Sequence, residues 1–200
     1  MFTEKIGEIE LTFETQKTSF SPLNLDKGTL AMLSVANLPD NLTNEDKLLD
    51  LGCGYGPVGI YAAKLINPQN IVMSDNNKSC IELSKKNACA NDINCIKIIQ
   101  SDGFNNITDT DFTIILSNPP YHADFSVPKH FIEKGFNRLK IGGKMYMVTK
   151  RKDWYKNKLT AIFGGVRVYE IDGYYVFCAE KRSARYASTR YANTRYASKK

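Results

Sequence analysis

The chain has 200 residues, of which 42% are hydrophobic and 24% charged, and its formal net charge is +6 at pH 7. These fractions are those of an ordinary globular protein, and the length fits one domain with a sizeable core. Residues 183–200 hold five of the 27 Lys and Arg residues and no acidic residue. The positive charge is therefore weak evidence that the folded body binds nucleic acid.

Neither a secretory signal nor a membrane span is predicted, since no apolar run approaches the roughly 20 residues that a span needs. The five cysteines are scattered and include no C-x-x-C pair, which disfavours a disulfide framework and a zinc site. We therefore expect a cytoplasmic monomer without a metal ion and without a membrane partner.

Apolar and polar residues alternate over Ile9–Phe13 and predict a strand, after which Asp26 caps a helix that ends near residue 38, before Pro39. From residue 47 onward strands and helices alternate. The predicted strands are 47–51, 70–74, 95–100, 112–117, 144–149, 166–171 and 174–179. The predicted helices are 57–66, 78–90, 129–139 and 153–163, the third ended by Gly142-Gly143 and with His130 at its exposed start.

This alternation predicts an α/β fold with a Rossmann-like, mostly parallel sheet and helices on both faces. Asp172-Gly173 separates the last two predicted strands and is typical of a tight hairpin turn, which makes the end of the sheet antiparallel. We expect a single domain over residues 1–182, in which residues 1–45 form an N-terminal strand and helix extension.

A glycine-rich loop, Asp50-Leu51-Gly52-Cys53-Gly54-Tyr55-Gly56, follows the predicted strand 47–51. Small residues let a ligand approach the backbone, and the next helix offers free N–H groups. The same loop also satisfies the dinucleotide pattern, which is a weak signal alone. Because Asp50 would repel a pyrophosphate and favour an ammonium or sulfonium, we predict S-adenosylmethionine as the cofactor. Asp75, after the next strand, is placed to accept hydrogen bonds from ribose hydroxyls.

Asn118-Pro119-Pro120-Tyr121 follows the apolar run 112–117. The Asn118 side-chain carbonyl and the Pro119 backbone carbonyl can accept hydrogen bonds from an aromatic amino group, and Pro120 stiffens the loop. Tyr121 offers a flat face on which a flipped-out base stacks. These four residues are the predicted catalytic residues, which act by placing the amino nitrogen against the methyl donor.

With these two motifs the chain resembles the class I S-adenosylmethionine-dependent methyltransferases that act on planar amino groups. Asn118-Pro119-Pro120-Tyr121-His122 resembles the small-subunit ribosomal RNA guanine-N2 methyltransferases. The resemblance runs from Phe20 to Glu180 and has two further supports. They are Phe20-Ser21 with Leu25-Asp26-x-Gly28-Thr29, and Asp153-Trp154-Tyr155 leading to Phe163-Gly164.

The resemblance implies seven strands with the last one inserted antiparallel, and cofactor contacts that follow successive strands. The implied cofactor-binding residues are Asp50, Gly52, Cys53, Gly54, Gly56, Asp75, Asn76, Asp102, Gly103, Phe104 and Asn118. Among them Asp102 would accept from the adenine amine and Phe104 would pack nearby.

The substrate expected from the resemblance is guanine N2 of ribosomal RNA, free or in a small-subunit assembly intermediate. The expected substrate-binding residues are Tyr121, His122, Lys150 and Arg151, although His122 and the basic pair also suit a loop cap and a solvated helix start. Adenine-N6 enzymes and protein glutamine-N5 enzymes share the tetrapeptide and stay open, as does an idle RNA-binding module. The best-known members add an N-terminal RNA-docking domain, whereas this chain is expected to hold the catalytic domain only.

The last residues contain a five-residue repeat, in which Arg-Tyr-Ala recurs at 185–187, 190–192 and 195–197. A period of five fits neither a helix nor a strand, so we predict that residues 183–200 form a disordered basic tail. Two interpretations stay open. Arginine for phosphates and tyrosine for stacking suit a tail that holds RNA, and the alternative is an extension without a role.

Overall fold

The computed structural model describes residues 1–15, 24–120 and 124–187. Its strands are β1 (Phe2–Ile6), β2 (Ile9–Phe13), β3 (Leu48–Leu51), β4 (Ile71–Asp75), β5 (Lys97–Gln100), β6 (Phe112–Ser117), β7 (Leu139–Thr149), β8 (Arg167–Ile171) and β9 (Tyr174–Glu180). Its helices are α1 (Lys27–Ala36), α2 (Leu38–Asn41), α3 (Pro57–Ala63), α4 (Lys78–Ala90), α5 (Ser126–Arg138) and α6 (Lys152–Phe163).

Seven strands form one sheet in the order β5-β4-β3-β6-β7-β9-β8. The first five are parallel to their neighbours, whereas β9 runs antiparallel to both β7 and β8. This topology confirms the predicted mostly parallel sheet and the antiparallel insertion of its last strand. The chain order reverses at β3, which pairs with β4 on one side and with β6 on the other, so a ligand crevice is expected at their carboxyl ends.

Both faces of the sheet are covered, because neighbouring residues of its central strands pack into two different hydrophobic clusters. Leu48 and Met73 belong to one cluster, whereas Leu49, Leu51 and Val72 belong to the other. All four residues of β3 are buried, as is typical of a parallel strand with helices on either side. The predicted helices on both faces are thereby confirmed.

The N-terminal hairpin of β1 and β2 forms a separate two-stranded sheet. Its first strand was missing from the sequence prediction. Burial alternates along β1, and the Phe2 ring packs near those of Phe13 and Tyr55, with centroid distances of 5.8 Å and 6.3 Å. The hairpin therefore lies against the glycine-rich loop that contains Tyr55.

Side-chain amides of α4 hold β2 in the way that a neighbouring strand would. Thr12 N donates to Asn91 Oδ1 (3.0 Å) and Asn91 Nδ2 donates to Thr12 O (2.7 Å). One turn away, Glu14 N donates to Asn87 Oδ1 (2.8 Å) and Asn87 Nδ2 donates to Glu14 O (3.0 Å). Both asparagines are buried, so these bonds fix the hairpin to the sheet of the body.

Two predicted stop signals are wrong, although the helices end within one or two residues of the predicted positions. Gly142-Gly143 does not end the predicted helix 129–139, since α5 ends at Arg138 and both glycines lie inside β7. They pair with the chain after β9, where Gly142 N donates to Lys181 O and Lys181 N donates to Gly143 O. Pro39 likewise stands in the first turn of α2 instead of stopping a helix. Gly and Pro were interpreted as stop signals, whereas the two glycines pair with the chain after β9 and the proline begins a new helical turn.

The chain stays packed beyond residue 182. The Tyr186 ring meets Phe136 edge to face with centroids 5.0 Å apart, and its hydroxyl donates to Glu133 O (3.0 Å) and accepts from Asn137 Nδ2 (3.1 Å). These contacts extend the packed body past the expected boundary. The domain division itself stays a prediction, and the disorder expected of the tail from residue 188 lies outside the described residues.

None of the helices in the described ranges is long and apolar enough to cross a membrane.

Candidate active site

The two motifs singled out in the sequence meet at the carboxyl ends of β3 and β6. Ser117 Oγ donates a buried hydrogen bond of 2.7 Å to Leu51 O, so the residue before Asn118 is tied to the residue before Gly52. On the other side, Gly52 N and Cys53 N both donate to Ser74 O at the end of β4. Three neighbouring strand ends therefore hold one crevice.

The glycines of the loop have two different roles. Gly54 has a φ of +58°, and a Cβ built on it would meet no atom within 4 Å, so open space lies next to this residue. Gly59 is instead a packing position, because a Cβ there would lie 2.5 Å from Met73 Cγ. The first glycine leaves room for a ligand and the second lets α3 approach β4.

Polar side chains of α4 donate hydrogen bonds to backbone carbonyls of the glycine-rich loop. Ser84 Oγ donates to Gly54 O (2.8 Å) and Asn87 Nδ2 donates to Tyr55 O (2.9 Å). Cys53 Sγ lies 3.7 Å from Ser84 Oγ, and burial raises the pKa of this thiol. The predicted contribution of Cys53 to a cofactor site therefore concerns its backbone, since its side chain packs against α4.

Asp50 is buried beneath the loop with 3% of its surface exposed. Its Oδ2 accepts a hydrogen bond from Gly59 N (2.9 Å). Burial raises the pKa of this carboxyl to about 7, the Gly59 N–H opposes the rise, and the charge of Asp75 adds to it. A positively charged ligand group beside Asp50 would favour its ionised form.

Asp75 joins the end of β4 to the loop through both carboxylate oxygens. Oδ2 accepts from Gly54 N (2.9 Å) and Oδ1 accepts from Asn77 N (2.9 Å). A carboxylate has about four acceptor sites, so each oxygen keeps capacity for a ligand hydroxyl. Asn76 is exposed between these residues and its carbonyl accepts from Gln100 Nε2 (3.1 Å).

The predicted cofactor-binding residues after β5 differ in their burial. Asp102 is exposed, whereas Phe104 is buried. A Cβ on Gly103 would lie 2.8 Å from His130 Nε2, and the rings of His130 and Phe104 have centroids 6.3 Å apart. The expectation that His130 stands on an exposed helix start is therefore wrong, because its Nε2 is buried against this segment.

The Asn118 side chain is held by the N-cap residue and the first turn of α1, to which the sequence analysis gave no role in the site. Asn118 Nδ2 donates to Asp26 Oδ2 (2.7 Å) and to Thr29 Oγ1 (3.0 Å). Both belong to the segment Leu25-Asp26-x-Gly28-Thr29, which was the signal available in the sequence. Pro119 is buried and Pro120 exposed. The predicted contributions of Tyr121 and His122 lie outside the described residues.

Aromatic side chains surround the predicted basic pair. The Lys150 ammonium lies 4.9 Å above the Tyr174 ring, and the Arg151 guanidinium lies 4.9 Å from the centroid of Phe125. Phe125 in turn stacks on Trp154 with ring centroids 4.5 Å apart. The sequence analysis gave Phe125 and Tyr174 no role in the site. Their contacts hold Arg151 next to the start of α5, just after the Asn-Pro-Pro-Tyr segment.

Metal ligation finds no support in the part of the chain that the structure describes, where no three His, Cys, Asp or Glu side chains gather as ligands.

Comparison with known families decides the class of this site. The model of the methyltransferase small domain matches residues 10–178. The chain belongs to this methyltransferase family. The membership confirms the predicted class of enzyme, and the matched range includes the glycine-rich loop and the Asn-Pro-Pro-Tyr segment.

Among curated members, the Bacillus subtilis protein YbxB is 34% identical over 177 residues, which are 86% of this chain and 87% of YbxB. Ribosomal RNA small subunit methyltransferase C of Haemophilus ducreyi is 32% identical over 163 residues, or 80% of this chain and 48% of that protein. The chain thus spans about half the length of the named ribosomal RNA enzyme.

A solved structure of the 16S rRNA N2 methyltransferase RsmC from T. thermophilus, in complex with AdoMet and guanosine, superimposes with a TM-score of 0.83. The sequences are 26% identical, and the alignment covers 90% of this chain and 50% of that one. The family fold is therefore shared over nearly the whole chain.

Proposed function

We propose that this chain transfers a methyl group from S-adenosylmethionine to the exocyclic N2 of guanine in ribosomal RNA. The observation that carries the proposal is the Ser117–Leu51 hydrogen bond, which joins the Asn118 loop to the glycine-rich loop. A methyl donor on one loop and an amino group on the other would then share one crevice. Two of the similar proteins, the small subunit methyltransferase C of Haemophilus ducreyi and RsmC of T. thermophilus, are named as ribosomal RNA methyltransferases and favour the same substrate.

The residues present fit a cationic cofactor. Asp50 and Asp75 put two carboxylates under one loop, with open space beside Gly54. When bound, S-adenosylmethionine supplies a methyl group on a positively charged sulfur. Asp50 would hold the cationic end, Asp75 with Asn76 the ribose, and Asp102 with Phe104 the adenine.

Asn118 and Pro119 would act on the substrate amino group. An aromatic amine is a poor nucleophile because its lone pair is delocalised into the ring. The Asn118 side-chain carbonyl and the Pro119 backbone carbonyl would accept its two N–H groups and hold the nitrogen in line with the methyl group. Acceptors that the loop holds before the reaction would stabilise the positive charge that develops on nitrogen at little cost of reorganisation.

Lys150 and Arg151 would bind RNA phosphates next to this loop. Arg151 is exposed and held over Phe125, which keeps the guanidinium preorganised for a phosphate or a base. We infer that the substrate is ribosomal RNA, free or in a small-subunit assembly intermediate, and that the enzyme acts as a cytoplasmic monomer.

Methyl transfer to purified ribosomal RNA, followed by nucleoside mass analysis, tests the proposal. We expect N2-methylguanosine from the wild type and a rate lower by roughly 10²–10³ in Asn118→Ala, with a far smaller effect on substrate binding. If the methylated product were N6-methyladenosine, or a methylated glutamine in a protein substrate, the target would be adenine or glutamine and not guanine. A wild-type rate for Asn118→Ala would overturn the catalytic assignment.

A further inference from the structure

The first turn of α1 lies against Asn118 although 92 residues separate Asp26 from it. Asn118 Nδ2 donates to Asp26 Oδ2 (2.7 Å) and to Thr29 Oγ1 (3.0 Å). Only 7% of Asp26 and 5% of Thr29 is exposed. A buried carboxylate that accepts from an amide is a strong, charge-assisted contact.

These bonds determine which way the Asn118 amide faces. An ionised carboxylate only accepts hydrogen bonds, and Nδ2 is the only donor of an asparagine side chain. A half-turn of the amide would bring Oδ1 against the Asp26 carboxylate, so that two acceptors would face each other with no donor between them. Oδ1 is therefore kept on the side away from α1.

We propose that Asp26 and Thr29 are positioning residues for methyl transfer, which keep Asn118 Oδ1 available as the acceptor for the substrate amino group. The inference rests on the proposed role of Asn118. The carboxylate also polarises the amide that it binds, which strengthens Oδ1 as an acceptor. Asp26 thus acts through Asn118 and needs no contact with the substrate.

Asp26 has a second, structural role that the test must separate. Its Oδ2 accepts from Thr29 N (2.9 Å), so Asp26 is the N-cap of α1. Serine caps a helix about as well as aspartate, but its hydroxyl is one bond shorter and does not reach Asn118. Asparagine keeps both the cap and an acceptor for Asn118 Nδ2, without the charge.

The test compares single-turnover methyl transfer to ribosomal RNA in Asp26→Ser, Asp26→Asn, Asn118→Ala and the double variant Asp26→Ser/Asn118→Ala. We expect Asp26→Ser to be roughly tenfold to a hundredfold slower, with unchanged cofactor affinity and thermal unfolding midpoint. Asp26→Asn should recover part of the rate. The double variant should be no slower than Asn118→Ala, because both changes remove one function.

Two controls separate positioning from folding. Asn67→Ser changes the cap of the turn before β4, at the opposite end of the strands from the crevice, and should leave the rate unchanged. Thr29→Val keeps the Asp26 cap and removes one acceptor, so it should slow transfer roughly threefold to tenfold even if Asp26→Ser fails to fold.

Three results would be decisive against parts of this scheme. A wild-type rate in folded Asp26→Ser or in Thr29→Val, with Asn118→Ala slow, overturns the positioning role and leaves the proposed function standing. If the rate reductions of Asp26→Ser and Asn118→Ala multiply in the double variant, Asp26 acts only by stabilising the fold and not through Asn118. A wild-type rate in Asn118→Ala overturns the proposed function itself.

Discussion

The Ser117 hydroxyl donates a 2.7 Å hydrogen bond to the Leu51 carbonyl oxygen across the ends of β6 and β3. Ser117 is 1% exposed and Leu51 likewise, so no water replaces the bond when it is lost. This contact fixes the Asn118 loop relative to the glycine-rich loop. The distance between the methyl donor and the acceptor nitrogen depends on the relative position of these two loops.

Ser117→Ala should lower the free energy of unfolding by about 1–3 kcal/mol, because it leaves a buried carbonyl oxygen without this donor. It should also slow methyl transfer more than it weakens cofactor binding. Denaturant unfolding and single-turnover rates measure the two effects. Ser34→Ala, in which an exposed helix serine loses its bond to Ala31 O, is the control, and equal effects from both variants would contradict the argument.

Asp75→Ala should weaken S-adenosylmethionine binding by about 1.5–3 kcal/mol, or roughly tenfold to a hundredfold, since it removes charged hydrogen bonds. The change also frees Gly54 N, which Asp75 now holds. Calorimetry of cofactor binding measures the loss, and Glu82→Ala removes an exposed carboxylate from α4 as a control. Tight NAD binding without binding of S-adenosylmethionine would reject this cofactor.

Cofactor-free protein should become less stable as the pH rises from about 4 to about 7. Burial raises the folded-state pKa of Asp50 from 3.8 to about 7, so the folded state holds a proton that the unfolded state has released over this interval. The free energy of unfolding then falls with rising pH. Thermal unfolding across this range should show the fall in the wild type and a smaller one in Asp50→Asn.

Binding of a cationic cofactor should have the opposite pH dependence, because the ionised carboxylate favours a positive charge. We expect its affinity to increase as the pH rises through about 7 in the wild type, and to lose this dependence in Asp50→Asn. Calorimetry at pH values on either side of 7 is the measurement. An increase of equal size in both proteins would place the titrating group elsewhere.

The sequence was sufficient to predict those elements and site residues that a local pattern of residues marks. Continuous apolar runs identified the parallel strands, and the motifs at their ends identified Asp50, Asp75 and Asn118. Contacts between distant segments left no such pattern. Asn87 and Asn91 are simply polar residues of a helix until β2 lies beside them, and Asp26 is an ordinary helix cap until β6 brings Asn118 to it.

Asn87→Ala should destabilise the fold by at least about 2 kcal/mol. It removes the partners of Glu14 N, Glu14 O and Tyr55 O, and each buried group left unpaired costs about 1–3 kcal/mol. Denaturant unfolding measures the loss. Asn94→Ala, at an exposed position after α4, should stay within about 0.5 kcal/mol of the wild type. Similar values for the two variants would mean that the hairpin does not buttress the loop.

Truncation should separate the packed end of the chain from the repeat beyond it. Cutting after Ala187 keeps the contacts of Tyr186 with Phe136, Glu133 and Asn137, so stability should be unchanged. Cutting after Arg182 removes those contacts and should cost about 1–2 kcal/mol. Cutting after Ala187 removes four basic residues, so this truncation should weaken RNA binding and flatten its salt dependence. Unchanged RNA affinity across a salt series would leave the repeat without a role in binding.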